Sequence, residues 1–452
     1  MSLPEKLLLL PAVFVILVAS CATWRVDPEI VEPDVAEEEE ILDRITAEVE
    51  KGNVNRALEI YEKGIVDDPL LYSMLLLNTG RIDKAEKALT EVLEKNSRDT
   101  QALFYMSLVH NFRGDRPEEK KVLEKIISLD SAHPDAGLAL GWIYAAESKY
   151  GRAENFFKKL IDAETSAHDL EARLGYAYVL KQLGSDKEAY EQYSTVIEND
   201  PDNMIAYIDR GIIRALQEDY KGAEEDFSEA VRIDPDYLWN YIDRGRVRFY
   251  SGRIRGAVDD FSRALEIDSS LFTAYAQRAE AYEILGENDL ALKDYEKALD
   301  IRGDYYRGFV PAASQYFRLE KWDKAAHYFL KAYELDESYE LVLLGAACLI
   351  KNREKDKAEK LLKEKMNTVS RDSSLFHISR LFVDPAYEAI AIRRINDENN
   401  SFERYKGLFY LALYYDSYGK NLLSEKYYST IIESEFPPDT LEYRLSYWRV
   451  SS

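Results

Sequence analysis

A 34-residue internal repeat is the feature of this 452-residue sequence that most restricts its fold. The segment Ala-Tyr-Ile-Asp-Arg-Gly at 206–211 returns as Asn-Tyr-Ile-Asp-Arg-Gly at 240–245, and segment 222–230 returns in the same way at 256–264. A period of roughly 20–50 residues is typical of proteins in which like structural units stack on one another. The sequence therefore predicts one repeat array, rather than the roughly three domains that its length alone would suggest.

Small and aromatic residues occupy fixed positions within each repeat. When repeats are counted from residues 134, 170, 204, 238, 272 and 306, position 20 is always alanine and position 24 is always aromatic. The position-24 residues are Phe157, Tyr193, Phe227, Phe261, Tyr295 and Phe329. Weaker repeats begin at 100 and 340, and one repeat has two extra residues near Thr165. This spacing predicts two helices joined by a short turn, with small residues where the helices approach and large residues between pairs.

The pattern resembles the tetratricopeptide repeat, a family whose period is 34 residues. The resemblance implies an all-α fold, a right-handed solenoid of stacked antiparallel helix pairs whose first helices line a concave groove. We predict a regular array over 100–352, with the best matches at 134–339. Residues 41–99 are predicted to form degenerate helices of the same kind, and residues 353–452 irregular helices that end in a degenerate repeat or cap.

The N-terminus predicts a targeting segment. The apolar run from Leu7 to Ser20 is too short to cross a hydrocarbon core of about 30 Å, but it suits a signal peptide. The sequence Val-Ala-Ser-Cys at 18–21 resembles the lipobox of bacterial lipoproteins, which implies removal of residues 1–20 and lipidation of Cys21. The alternatives are an ordinary secretory peptide with a chance cysteine, or an uncleaved anchor. Lipidation would place the protein in the bacterial cell envelope, on the periplasmic side of either membrane or on the outer face of the cell membrane.

An acidic segment follows Cys21. Residues 21–40 contain Pro28, Pro33 and the run Glu37–Glu40, and they show no helical stripe before about Ile41. We predict an extended tether over residues 21–40. The alternative is that the glutamate run forms the first turn of a helix, where carboxylates suit the helix dipole.

Candidate binding residues lie at the groove positions of the first helices, where the resemblance predicts an accessible surface. They are Trp142, Tyr178, Trp239, Arg246, Phe249, Tyr250, Arg307, Phe317 and Arg318. Aromatic residues and arginine dominate binding hot spots, so these side chains favour recognition of a protein or peptide. The alternative is that some of them pack against a neighbouring helix.

Two further groove residues refine that hypothesis. Some members of the family bind C-terminal carboxylates, but Asp209 and Asp243 at position 6 would repel such a ligand, and we expect them to be solvated or paired with Arg210 or Arg244. Pro311 lies within a predicted first helix, which should begin late or kink there.

Composition and motifs exclude several classes of protein. The net charge of −24 argues against nucleic acid as a partner, because phosphate backbones are bound by surfaces rich in lysine and arginine. The two cysteines, Cys21 and Cys348, provide no disulfide framework, and Cys348 is predicted to be a small buried residue. No nucleotide-binding, hydrolase or metalloprotease motif occurs. We therefore predict a protein that is not an enzyme and has no cofactor or metal.

The favoured functional hypothesis is a lipid-anchored scaffold of the bacterial envelope that holds a protein or peptide partner in its groove and supports assembly of an envelope complex. The alternative is a ligand-binding accessory subunit of a membrane transport system, in which the repeats would enclose a small molecule.

Overall fold

The structure, a computed structural model, describes residues 33–64, 66–163 and 168–451. Within these ranges the regular secondary structure is entirely helical. Contacts divide the chain into two compact units, residues 1–233 and 234–452, and each is considered by itself. The predicted all-α class is confirmed.

The first unit contains twelve described helices. They are α1 Pro33–Glu50, α2 Val54–Lys63, α3 Pro69–Asn78, α4 Ile82–Lys95, α5 Thr100–Phe112, α6 Arg116–Leu129, α7 Pro134–Ala146, α8 Tyr150–Asp162, α9 Asp169–Gln182, α10 Asp186–Asn199, α11 Met204–Leu216 and α12 Tyr220–Ile233. Several of them begin at a side chain that accepts backbone N–H groups of the first turn, as Asp68, Asp99 and Asn203 do for α3, α5 and α11.

The second unit contains thirteen described helices and two short 3₁₀ turns. The helices are α13 Leu238–Tyr250, α14 Ile254–Ile267, α15 Phe272–Ile284, α16 Asn288–Ile301, α17 Tyr306–Arg318, α18 Trp322–Asp336, α19 Tyr339–Lys351, α20 Lys355–Lys365, α21 Ser374–Val383, α22 Glu388–Asn396, α23 Ser401–Ser417, α24 Asn421–Ile432 and α25 Leu441–Ser451. The 3₁₀ turns are Met366–Thr368 and Pro385–Tyr387.

Helices α5 to α20 form the eight predicted pairs, four in each unit. Within a pair, a short turn usually contains one residue in the left-handed conformation, at position 15 of the repeat. Gly184, Gly252 and Gly286 take this conformation with φ of 78°, 79° and 74°. Glu218 and Glu320 take it in repeats without glycine there, with φ of 63° and 55°. A left-handed residue ends the first helix in each case and lets the chain reverse into the second.

The predicted tether is wrong for residues 33–40. Helix α1 begins at Pro33 and continues to Glu50, so the glutamate run lies within its first turns. Proline at the start of a helix loses no backbone hydrogen bond, and carboxylates near the start suit the helix dipole. Residues 1–32 lie outside the described residues, so the signal peptide and the lipidation of Cys21 stay predictions. Among the described residues, no helix combines the length and the apolar character needed to cross a membrane.

Phe157 shows how the repeated residues hold neighbouring pairs together. Its side chain is fully buried. A Cβ atom added to Gly141 of α7 would lie 2.6 Å from the ring, and one added to Gly175 of α9 would lie 2.4 Å from it. The ring of Phe157 therefore fills the space that these two glycines leave open. Gly141 is at position 8 of its repeat and Gly175 at position 6 of the next, and the absence of a side chain at both makes room for the aromatic residue at position 24.

Paired charges repeat with the same period inside the helix pairs. Arg210 on α11 donates two hydrogen bonds to Asp226 on α12, at 2.7 and 3.1 Å. The equivalent pairs Arg244–Asp260 and Arg278–Asp294 also span 16 residues. All three aspartates are at most 5% exposed. Buried carboxylates of this kind are tolerated because a planar guanidinium satisfies both oxygens.

The C-terminal helices cover helix α19. At one end of α19, Glu340 pairs with Lys406 of α23, and at the other end Lys351 donates to Asp416 of α23 at 2.8 Å. The two helices therefore run in the same direction with their sides in contact. Cys348 lies between these ion pairs and is fully buried, as the sequence predicted, and burial raises the pKa of its thiol.

Candidate partner-binding surface

Four side chains form an exposed row along helix α13, which we call the α13 stripe: Trp239, Asp243, Arg246 and Tyr250. Their spacing places them on one face of the helix. Trp239 and Tyr250 are 44% and 65% exposed, and the side chains of Asp243 and Arg246 are 27% and 52% exposed. Tyr250 packs edge-on against half-buried Phe249, with ring centroids 5.7 Å apart. The outer two members are eleven positions apart, which corresponds to about 16 Å along the helix.

The carboxylate of Asp243 lies at the centre of the α13 stripe, and the nearby charges offset little of the cost of its partial burial. Loss of hydration raises the pKa of Asp243 to about 6, and the nearby guanidinium of Arg246 opposes this rise. The closest oxygen and nitrogen atoms of the two side chains are 3.6 Å apart. At neutral pH the carboxylate is mostly ionised, and it would gain from a closer cation or donor.

Helix α15 lies beside α13 and carries more acceptor groups at equivalent positions. The side-chain oxygen of Gln277 is buried and has no hydrogen-bond partner among the described residues. The pKa of Glu280 is raised by loss of hydration and by the neighbouring Glu283, while Arg307 opposes the rise. Ile284, at the end of α15, is 60% exposed. Sequence reasoning missed Gln277, Glu280 and Ile284, although they fall at positions 6, 9 and 13, as Asp243, Arg246 and Tyr250 do.

In the first unit, the two predicted surface residues contact each other. The rings of Trp142 and Tyr178 lie 6.0 Å apart, and Lys181 lies 6.0 Å from the Tyr178 ring. Trp142 is only 7% exposed because it packs edge-on against Phe157. The prediction that Trp142 lines an accessible surface is therefore wrong. Tyr178 is half-buried, and its role in binding a partner stays a prediction.

The three candidate binding residues of helix α17 differ in their exposure. Arg307 is exposed, and half-buried Arg318 donates to Gln315 at 3.2 Å. Phe317 is 1% exposed and packs edge-on against Trp322, so its prediction as a surface residue is wrong. The helix begins at Tyr306 and includes Pro311, so the late start considered from the sequence does not occur.

The position-6 aspartates have different partners from those expected. Asp209 is buried, pairs with Lys181 and accepts a hydrogen bond from Tyr193 at 2.9 Å. Arg210 and Arg244 instead donate hydrogen bonds to Asp226 and Asp260 of the second helices. The sequence signal for these pairs was present, because arginine at position 7 and aspartate at position 23 recur together with the 34-residue period.

His168 joins two neighbouring repeats of the first unit. Its Nε2 atom lies 2.9 Å from Asp135 of α7, and its Nδ1 atom lies 3.0 Å from Glu171 of α9. Because two carboxylates flank the ring, both nitrogens act as donors, and the pKa of His168 is raised to about 9 despite partial burial. The protonated imidazole therefore stabilises the junction of α7 and α9.

We expect the stability of this junction to fall at alkaline pH. The folded pKa of about 9 exceeds the ordinary value of 6.5, so the stabilisation is fully present below pH 6.5 and is lost as pH rises through 9. Hydrogen exchange of α7 and α9, corrected for the intrinsic pH dependence, should show weaker protection at pH 9.5 than at pH 6. His168→Gln should remove this pH dependence. If the variant shows the same dependence as the native chain, His168 is not its source.

A shallow depression lies outside these first-helix surfaces, near the start of the described chain. It has a volume of about 370 Å³, and its lining includes Leu42, Val66, Asp68, Val92 and Asn96. Asp68 already caps helix α3, so its carboxylate is committed to backbone N–H groups. Within residues 33–64, 66–163 and 168–451, no group of three or more His, Cys, Asp or Glu residues is arranged to hold a metal ion.

Comparison with known families places repeats in both units. Models described as the tetratricopeptide repeat match residues 138–203 and 188–237, and another of the same description matches residues 272–305. Cellulose synthase 1 operon protein C of Komagataeibacter xylinus is 27% identical over 142 residues. That match covers 29% of this chain and only 11% of the relative's length.

Several solved structures resemble part of the chain. A crystal structure of MamA is 25% identical and has a TM-score of 0.35, covering 36% of this chain and 94% of that one. A Pseudomonas aeruginosa pilF structure is 21% identical with a TM-score of 0.39, and the match covers 46% of this chain and 92% of that one. The structure of YrrB, described as a TPR protein with an unusual peptide-binding site, is 19% identical with a TM-score of 0.37, covering 42% and 96%.

Proposed function

We propose that this chain, which contains tetratricopeptide repeats, is a scaffold for protein–protein interaction that is lipid-anchored in the bacterial envelope. In this proposal the first helices of the second unit bind a protein or peptide partner, and the bound partner is brought into an envelope complex. The chain itself contributes recognition and position rather than chemistry.

One observation supports the binding role most strongly: two large aromatic side chains stand exposed on one helix face. Trp239 and Tyr250 could have been buried, as Trp142 and Phe317 are at other groove positions. Exposed aromatic groups carry a free-energy cost in water that a partner removes by covering them. Each buries a large area at a small cost in side-chain entropy, which makes such residues effective anchors in interfaces.

The envelope location is proposed from the sequence. Small residues at 18–20 precede Cys21 at the end of the apolar run, as in bacterial lipoproteins. A diacylglyceryl group and an amide-linked chain on Cys21 would hold the protein firmly at a membrane surface, because each buried methylene contributes about 0.8 kcal/mol.

The proposal is tested by crosslinking in intact cells, with a photoreactive phenylalanine analogue at Tyr250. We expect a discrete protein adduct whose yield falls at least about fivefold when Trp239 is also changed to alanine, since the two side chains share one face. The matched control carries the analogue at Leu335 on α18, which is 52% exposed and lies on a second helix. In the same cells, Cys21→Ser should release the protein from the membrane fraction.

Two outcomes would contradict the proposal. Equal adducts from positions 250 and 335 would show that the α13 stripe has no special role. An unmodified Cys21 in the mature protein, measured by mass spectrometry, would remove the lipid anchor from the proposal while leaving the interaction role to be judged by the crosslinks.

A further inference from the structure

Within the second unit, the face of the first helix α19 is already covered by a helix of the same chain. Helix α23 lies along α19, fixed at one end by the Lys406–Glu340 pair and at the other by the Asp416–Lys351 pair. Between these pairs the face of α19 is apolar, with Leu344 fully buried and Ala347 1% exposed. A first-helix face in this protein can therefore receive an α-helix that has an apolar centre and charged ends.

Among the described helices, none lies along the same face of α13 as α23 does along α19. Counted back from the left-handed residue that follows each helix, Gly252 and Arg353, Trp239 occupies the place of Glu340 and Tyr250 the place of Lys351. The residues between them that correspond to Leu344 and Ala347 are Asp243 and Arg246. The pattern on α13 is thus the reverse of that on α19, with apolar ends and a charged centre.

The less exposed of the two charges at that centre is the carboxylate of Asp243. Arg244 and Arg248 of α13 are held by Asp260, and Arg278 of α15 is held by Asp294. Of the neighbouring groups, Glu280 is a second carboxylate, the buried oxygen of Gln277 has no donor among the described residues, and Arg246 and Arg307 are the opposing cations. Arg246 is more exposed than Asp243, and its long side chain can turn toward solvent when a closer cation arrives.

We propose that the α13 stripe binds an amphipathic α-helix of a partner protein, with apolar side chains over Trp239 and Tyr250 and a lysine or arginine between them that pairs with Asp243. The apolar side chains of the partner would lie about 16 Å apart, which is eleven residues of a helix. Burial of the aromatic rings supplies affinity, and the cation selects the partner because an acidic residue in its place would face Asp243 unpaired. This inference rests on the proposed function and adds the chemistry of the partner.

The test uses the full-length chain and two synthetic helical peptides that differ at a single residue. Both carry leucines eleven residues apart, and the central residue facing the stripe is lysine in one and glutamate in the other. By isothermal titration calorimetry we expect the lysine peptide to bind at least about tenfold more tightly. Asp243→Asn should abolish this preference, and Trp239→Ala with Tyr250→Ala should weaken both peptides.

Asp259→Asn is the matched control, because Asp259 is exposed on the second helix α14 and the same charge is removed. It should leave the preference for lysine unchanged. Equal affinities, tighter binding of the glutamate peptide, binding of neither peptide, or an Asp243→Asn variant that keeps the preference would each overturn the inference. If these results occur while the crosslink at position 250 still depends on Trp239, the proposed function stands and only the helical, cationic partner is rejected.

Discussion

Phe157→Ala is expected to destabilise the first unit by about 3–5 kcal/mol, the range typical of removing a fully buried aromatic ring. The ring lies on α8 and fills the space beside Gly141 and Gly175, so its loss opens a cavity where α7, α8 and α9 meet. Neither glycine has a side chain that could move into the gap. Hydrogen exchange should show lost protection in these three helices, and the urea concentration at which the first unit unfolds should fall.

Phe156→Ala provides the comparison within the same helix. Phe156 is half-buried and stacks on Tyr144 at 5.8 Å, so its removal exposes a partner ring without leaving an enclosed cavity. We expect a cost of about 1 kcal/mol for this change. Equal losses for the two variants would mean that Phe157 does not connect neighbouring pairs in the manner described.

Asp260→Ala is expected to cost about 3–5 kcal/mol in the second unit, since one partner of a buried ion pair is removed and the other is left behind. Asp260 is 2% exposed and accepts hydrogen bonds from Arg244 at 2.7 Å and from Arg248 at 2.9 Å. Both guanidinium groups are mostly buried and would lose their hydrogen bonds to Asp260 together. Chemical denaturation followed by circular dichroism measures the effect.

The adjacent Asp259 supplies a control with the same side chain in the same helix. It is exposed, and its replacement by alanine should change the free energy of unfolding by no more than about 0.5 kcal/mol. If Asp259→Ala and Asp260→Ala are equally mild, the recurring arginine–aspartate pairs contribute little to stability. If only Asp260→Ala is severe, the same pairs at 210–226 and 278–294 should behave alike.

The fold was predictable from the sequence because each repeat contains the residues that determine its own helix pair. Alanine at position 20 and an aromatic residue at position 24 recur often enough to define the helix pairs, and their contacts lie within a pair or with the next one. Exposure of Trp239 and Tyr250 also follows from their places in the repeat. These features depend on short separations along the chain, which periodicity reports directly.

The errors in the candidate site come from contacts that the period does not encode. Phe317 is at a groove position, but Trp322 covers it, and Arg449 of α25 lies over that tryptophan. The packing of α23 against α19 includes ion pairs between residues that are 65 or 66 positions apart in the sequence, and this separation is not that of the repeat. Trp142 is buried because Gly141 and Gly175 bring the Phe157 ring beside it, which depends on three helices at once.

The pairing of Arg244 with Asp260 inside one 34-residue block has a consequence for how such a chain can change its length. The block that starts at residue 238 contains both members of this buried pair, so duplication of the block would insert a complete arginine–aspartate pair. The pair between Lys181 and Asp209 is different, because it crosses from one block to the next, and insertion between those blocks would separate its members. Growth by whole modules is therefore electrostatically permitted at some junctions of this protein and penalised at others.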